Sequence, residues 1–167
     1  MMASMRNGQG DYYFILFTRE GAILKGFDHE SPMSPYATDP PKMWAGILDE
    51  VPSEFSEFLK EPAFSMEDTT FCFWRLNHDS CWKTGSITFP NESDPDGSTY
   101  LLSKLDGKTQ TYKKFAEEYY EQSVPLSAVE HIYNHQSLTI EIISALNSDN
   151  SLENLEVDIE EIAYPRV

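Results

Sequence analysis

Four histidines, two cysteines and 28 acidic side chains are the groups in this sequence that could do chemistry. His131 and His135 stand four residues apart in the stretch EHIYNH. On a helix that spacing can direct two imidazoles at one metal ion. The zincin pattern H-E-x-x-H would require glutamate at position 132, where the chain has Ile132. With Val129 at the centre of the apolar face, a rotation of about 100° per residue turns both rings to the polar side. A metal there needs a third ligand from another element, and His29 with Asp28 or Glu30 is the candidate. The competing reading is a pair of solvated surface histidines, with no metal.

Glu92, Asp94, Asp96 and Gly97 mimic positions 1, 3, 5 and 6 of a calcium loop. Position 12 would be Ser103, where a bidentate glutamate is needed, so the expectation is a turn built on Pro95 and Gly97. Cys81 follows His78 by three residues, which could form a nucleophile and base. The alternative is a strand-end thiol beside a polar turn. Cys72 lies in an apolar stretch that disfavours its thiolate. The chain has no G-x-S-x-G elbow, no phosphate-binding loop and no G-x-G-x-x-G. No catalytic residue is assigned, no cofactor is expected, and a non-enzymatic role is favoured.

Charge is the stronger signal. Twelve basic residues face 28 acidic ones, a net charge of −16 over 167 residues. That argues against electrostatic binding to nucleic acid or to an anionic membrane. The acids cluster at Asp49, Glu50, Glu54, Glu57, Glu61, Glu67 and Asp68, and again after residue 115, where Arg166 is the sole lysine or arginine. Glu153, Glu156, Asp158, Glu160 and Glu161 crowd the last predicted helix. Such density costs stability by self-repulsion. It either serves solubility or meets a cationic partner, whose association a negative face accelerates.

The elements that must position these groups read as strands first and helices later. Tyr12–Phe17 and Ala22–Phe27 predict a hairpin across Thr18–Gly21. The 69–76 stretch predicts a central strand, with 81–89 as its partner around the NHDS turn. That pairing sets Leu76 opposite Cys81 and Cys72 near Gly85, too far apart for a disulfide. Two reduced thiols and no apolar leader point to the cytoplasm. Residues 28–46 hold four prolines and read as a long loop. Its Tyr36, Met43, Trp44 and Met33 are either anchors for a partner or a lid folded onto the core.

Helices are predicted over 52–60, 109–122, 127–135 and 138–146, with a last one capped by Ser151. Ser127 and Glu130 form a capping box. Tyr112, Phe115, Ala116, Tyr119 and Tyr120 mark one face of the second. Leu152, Leu155, Ile159 and Ile162 mark the inward face of the last. The segregation predicts an α+β fold: an N-terminal antiparallel sheet of about four strands packed against a C-terminal group of helices. Residues 1–10 read as a disordered leader and 11–167 as a single domain.

The segment VPSEFSEFLKEPAF (51–64) resembles the LP-x-x-Y/F-x-x-F-L segment of the SMI1/KNR4 superfamily through Val51-Pro52, Phe55 and Phe58-Leu59. Many bacterial members of that superfamily are immunity proteins. The likeness covers about fourteen residues and ends at Glu61-Pro62-Ala63, where that superfamily has an Asn-Gly-Gly-like turn, and its opening helix has no counterpart here. No membership is assigned. Together these features lead to an expectation. The chain is an acidic cytoplasmic binding protein of bacterial type that occludes a basic, toxin-like protein. Trp44, Tyr36 and the acids from Glu153 to Glu161 are its contact residues. The alternatives are a metal-dependent enzyme using His131, His135 and His29, or a structural or regulatory domain.

Overall fold

The computed structural model describes residues 1–166. The fold is α+β, with a four-stranded antiparallel sheet in the N-terminal half and most of the helix in the C-terminal half. The chain divides into two compact units, Met1–Ser103 and Lys104–Val167.

The first unit is built on strands β1 (Met2–Arg6), β2 (Tyr12–Phe17), β3 (Gly21–Phe27) and β4 (Phe71–Leu76), each paired with the next. β1 falls inside the stretch expected to be a disordered leader. It pairs with β2 from Met2↔Leu16 to Arg6↔Tyr12. Its exposed, weakly apolar residues suit an edge strand and gave little period-2 signal. The β2–β3 hairpin turns where predicted, with the Thr18 hydroxyl accepting from the backbone N–H groups of Glu20 and Gly21.

β2 and β3 are almost wholly apolar because both faces of the sheet are covered. One face carries Phe14, Ile23, Cys72 and Trp74 in a core with Met33, Ile47, Phe55, Phe58 and Phe64. The other carries Tyr13, Ile15, Leu24 and Phe71 with Leu101. The first core is filled by the segment between β3 and β4. Within it, a 3₁₀ turn at Ser53–Phe55 runs into α1 (Ser56–Lys60), so Phe55 and Phe58 point into the sheet together. Pro52 precedes this turn as its cap rather than occupying its first position.

Residues 81–89 do not form the expected strand. A single bridge, Trp74↔Lys83, keeps the predicted register. Beyond it the chain is diverted onto residues 46–50: the Gly85 backbone lies against Gly46, and Ser86 donates to the Glu50 carboxylate at 2.9 Å. Cys72 is buried, Cys81 is exposed, and both are free. A short α2 (Ser98–Leu101) places Leu101 in the second core.

The second unit contains α3 (Thr109–Tyr120), α4 (Leu126–Tyr133), α5 (Ile140–Leu146) and α6 (Glu156–Glu161). α4 begins after Pro125, with no side-chain cap, so Ser127 lies inside the helix and the Ser127–Glu130 capping box does not form. Thr139 caps α5 by accepting from Ile142 N–H. Ser151 accepts from Asn154 N–H in the turn before α6 rather than at its first residue. Ala116, Val124 and Val129 form one small core, and Leu138, Ile143 and Ile159 another. Ile162, expected to face inward, is exposed. The predicted face of α3 is only partly buried: Ala116 is covered, whereas Tyr112, Tyr119 and Tyr120 are exposed. Their rings run along the surface, from Tyr133 through Tyr112, Phe115 and Tyr119 to Tyr120, at centroid separations of 4.9–6.3 Å. No helix among the described residues is long and apolar enough to cross a membrane.

Candidate functional site

The β2–β3 register decides which polar groups meet at one end of the sheet. Tyr12↔Phe27 is the terminal pair, so the residues just outside it, Asp11 and Asp28, emerge side by side. Asp11 is reached through the turn 7–10, where Gly8 and Gly10 take positive φ values of 76° and 111° that glycine adopts freely. The Asn7 side chain organises this turn. Its oxygen accepts from Gln9 and Asp11 N–H, and its amide donates to Asp11 Oδ2 at 2.5 Å.

His29 follows Asp28. Its Nδ1–H donates to Asp11 Oδ1 at 2.6 Å, and its backbone N–H donates to the same oxygen at 3.0 Å. Burial pushes the Asp11 carboxyl up, but the bonds from His29 and Asn7 outweigh it and hold the group below the usual range. The bond to Asp11 raises His29 against an opposing cost of burial, with the charges of Asp11, Glu30 and Asp28 adding to the rise. Asp28 is shifted upward, first by burial and then by the neighbouring Asp11 charge. Its Oδ1 accepts from Glu30 N–H at 3.0 Å. Ligand atoms of Asp11, Asp28 and His29 all lie within 4.8 Å of one another.

These groups open onto a concavity of about 580 Å³, lined also by Gln9, Glu30, Ser31, Asp94 and Tyr100. The Asp94 carboxylate accepts from Thr99 and Tyr100 N–H, and Asp96 from Ser98 N–H. Asp94 and Asp96 of the calcium-like stretch thus hold the start of α2, and with Glu92 they do not converge as a calcium loop among the described residues.

Of the other candidates, Met33 is fully buried, and Met43 and Trp44 are half-buried against the same core. The Trp44 indole donates to Thr88 O at 3.1 Å. That part of the loop is a lid on the sheet. Tyr36 stays 59% exposed, with its hydroxyl donating to Asp68 at 2.8 Å. In the second unit α4 stops at Tyr133, and His135 lies beyond it at φ 53°. The i, i+4 helical geometry is therefore lost. His131 Nε2 bonds to Ser137 O at 2.9 Å, and His135 packs edge-on to Tyr164. No third metal-capable side chain of that unit joins them among the described residues.

Glu153, Glu156, Asp158, Glu160 and Glu161 are all exposed. Arg166 pairs with Glu156 and Glu160 at 3.1 and 3.2 Å. Val157, 75% exposed, stands among these carboxylates. Asp11 is the site residue that sequence reasoning missed. The signal was the glycine-flanked turn before β2, legible only once the hairpin register was fixed. No family model matches the chain, and no curated protein or solved structure matches it significantly.

Proposed function

We propose that this is a non-enzymatic binding protein whose acidic surface holds a basic protein partner, in the manner of an immunity protein occluding a toxin. The observation that carries the reading is α6 and the turn before it. Glu153, Asp158 and Glu161 make no ion pair among the described residues, and the exposed Val157 lies on the same short helix. Interfaces often combine an apolar centre with a polar rim, and unpaired carboxylates speed encounter with a cation-rich surface. The two free thiols suit a reducing cytoplasm. Tyr36, the exposed residue of the proline-rich loop, would add an aromatic contact; Trp44 is committed to the core lid.

The test is capture of basic proteins on the immobilised full chain over a salt series, followed by kinetics with the protein retained. The triple variant Glu153→Lys, Asp158→Lys, Glu161→Lys should associate at least about tenfold more slowly, with a flatter salt dependence. An unchanged rate and an unchanged salt slope would remove this face as the binding surface.

A further inference from the structure

We propose that Asp11, Asp28 and His29 form a site for one divalent transition-metal ion of the zinc class. The inference does not rest on the partner-binding reading and concerns a different part of the chain. Two ligands bound to one ion at about 2.0–2.4 Å can be no more than about 4–4.8 Å apart. The three candidate ligand atoms meet that bound without rearrangement of the backbone. Two negative carboxylates are brought together by the end of the β2–β3 ladder, with His29 as the neighbouring group able to carry positive charge. A dication at their centre offsets the repulsion.

The donor set gives the class of ion. One imidazole nitrogen with two carboxylate oxygens suits zinc and its first-row neighbours, whereas magnesium and calcium take oxygen alone. The ligands are also held in place. Asp11 is buried and fixed by Asn7, and Asp28 is seated against the Gly97 backbone and bonded by Glu30 N–H. Supported ligands of this kind are what a preorganised metal site requires. Three protein ligands leave a coordination position open, and the concavity of about 580 Å³ gives water or a small anionic or polar ligand access to it. Among the described residues, His131 and His135 do not supply such a set in their own unit.

The experiment is calorimetric titration of the untagged, chelator-stripped full chain with zinc chloride. Magnesium and calcium chloride serve as comparisons, and cobalt(II) absorption reports coordination. The expected result is about one zinc per chain, tighter than magnesium or calcium, with a visible cobalt spectrum. His29→Ala and Asp28→Asn should each weaken zinc at least about tenfold and abolish the cobalt bands. His131→Ala with His135→Ala should leave both unchanged. Circular dichroism confirms folding, and two independent ligand variants keep the result interpretable if one fails to fold. No binding, binding that survives both ligand variants, loss on changing His131 and His135, or a preference for magnesium or calcium would each overturn the proposal. Lys substitutions on α6 leave it untouched, so the two readings fail separately.

Discussion

Lys25 and Cys72 face each other across the β3–β4 ladder, and neither side chain reaches solvent. The Lys25 ammonium donates to the carbonyls of Ser65 and Asp68 at 3.0 and 3.1 Å and lies 4.6 Å from the Tyr12 ring centroid. Burial lowers its pKa to about 8, against opposing pulls from Asp68 and Glu67. Burial raises Cys72 to about 12, and raises Tyr12 to about 12 with help from the Asp68 charge.

These shifts set a pH profile. Above about 8 the folded chain has begun to release the Lys25 proton, while the unfolded chain holds it up to its ordinary 10.5. Stability therefore rises with pH across that window. Above about 9 an unfolded Cys72 loses a proton that the folded state keeps, and above about 10 an unfolded Tyr12 does the same. Both lower stability as pH climbs. Urea unfolding at closely spaced pH values should show the Lys25 contribution as a rise between pH 8 and 9. Lys25→Met should remove that rise; an identical slope in the variant would refute the assignment.

Gly26 is paired with Phe71, and a Cβ built on Gly26 would stand 1.9 Å from the Phe71 ring. The ring lies over the glycine, a packing that a methyl group destroys. Gly26→Ala should cost about 1–3 kcal/mol by overpacking, read from the denaturation midpoint at constant m-value. A neutral result would mean that the ring has room to swing away.

The loop between β3 and β4 divides into a buried part and an exposed part. Met33→Ala should cost roughly 2–5 kcal/mol as a core truncation. Tyr36→Ala removes a largely exposed ring and one exposed hydrogen bond, so its cost should stay near 1 kcal/mol or less. Comparable losses at both positions would contradict the description of Met33 as core and Tyr36 as surface.

Gly97 has φ 76°, and a Cβ there would come within 2.2 Å of Asp28 Oδ2. Gly97→Ala should displace the Asp28 carboxylate and add about 1 kcal/mol or more of backbone strain. Reduced thermal stability together with weaker zinc binding is the expected pair of outcomes. Unchanged zinc affinity in a folded variant would mean that the Asp28 position does not depend on Gly97.

Strong apolar runs were legible in the sequence. β2, β3 and β4 appear where Tyr12–Phe17, Ala22–Phe27 and 69–76 predicted them, because continuous apolar strands are what a sheet buried on both faces demands. β4, expected to be central, instead ends the sheet, because its expected partner over 81–89 is reduced to the bridge Trp74↔Lys83. α3 begins where predicted and stops two residues early. β1 was not legible: MASMR has little alternation, and its pairing comes from β2. The expected strand over 81–89 failed because Gly85 and Ser86 find partners in the loop at 46–50, a long-range contact that local pattern does not encode. The periodicity of α4 continues in the sequence past Tyr133 to His135, while the helical backbone does not. Asp28, His29 and Glu30 were already candidates, but Asp11 could join them only through strand register.

The sheet order follows the order of the strands along the chain, yet its connections are very unequal. Only Thr18–Glu20 separates β2 from β3, whereas β3 and β4 are joined by the long segment that itself supplies Met33, Ile47, Phe55, Phe58 and Phe64 to the core. The β2–β3 hairpin can close on its own at small entropic cost. The β4 ladder must wait for a loop whose burial it also requires. Folding of the first unit is thus expected to be limited by this late, non-local closure, so substitutions at Phe55 or Phe58, which the closing loop must bury, should slow folding as well as destabilise the folded state.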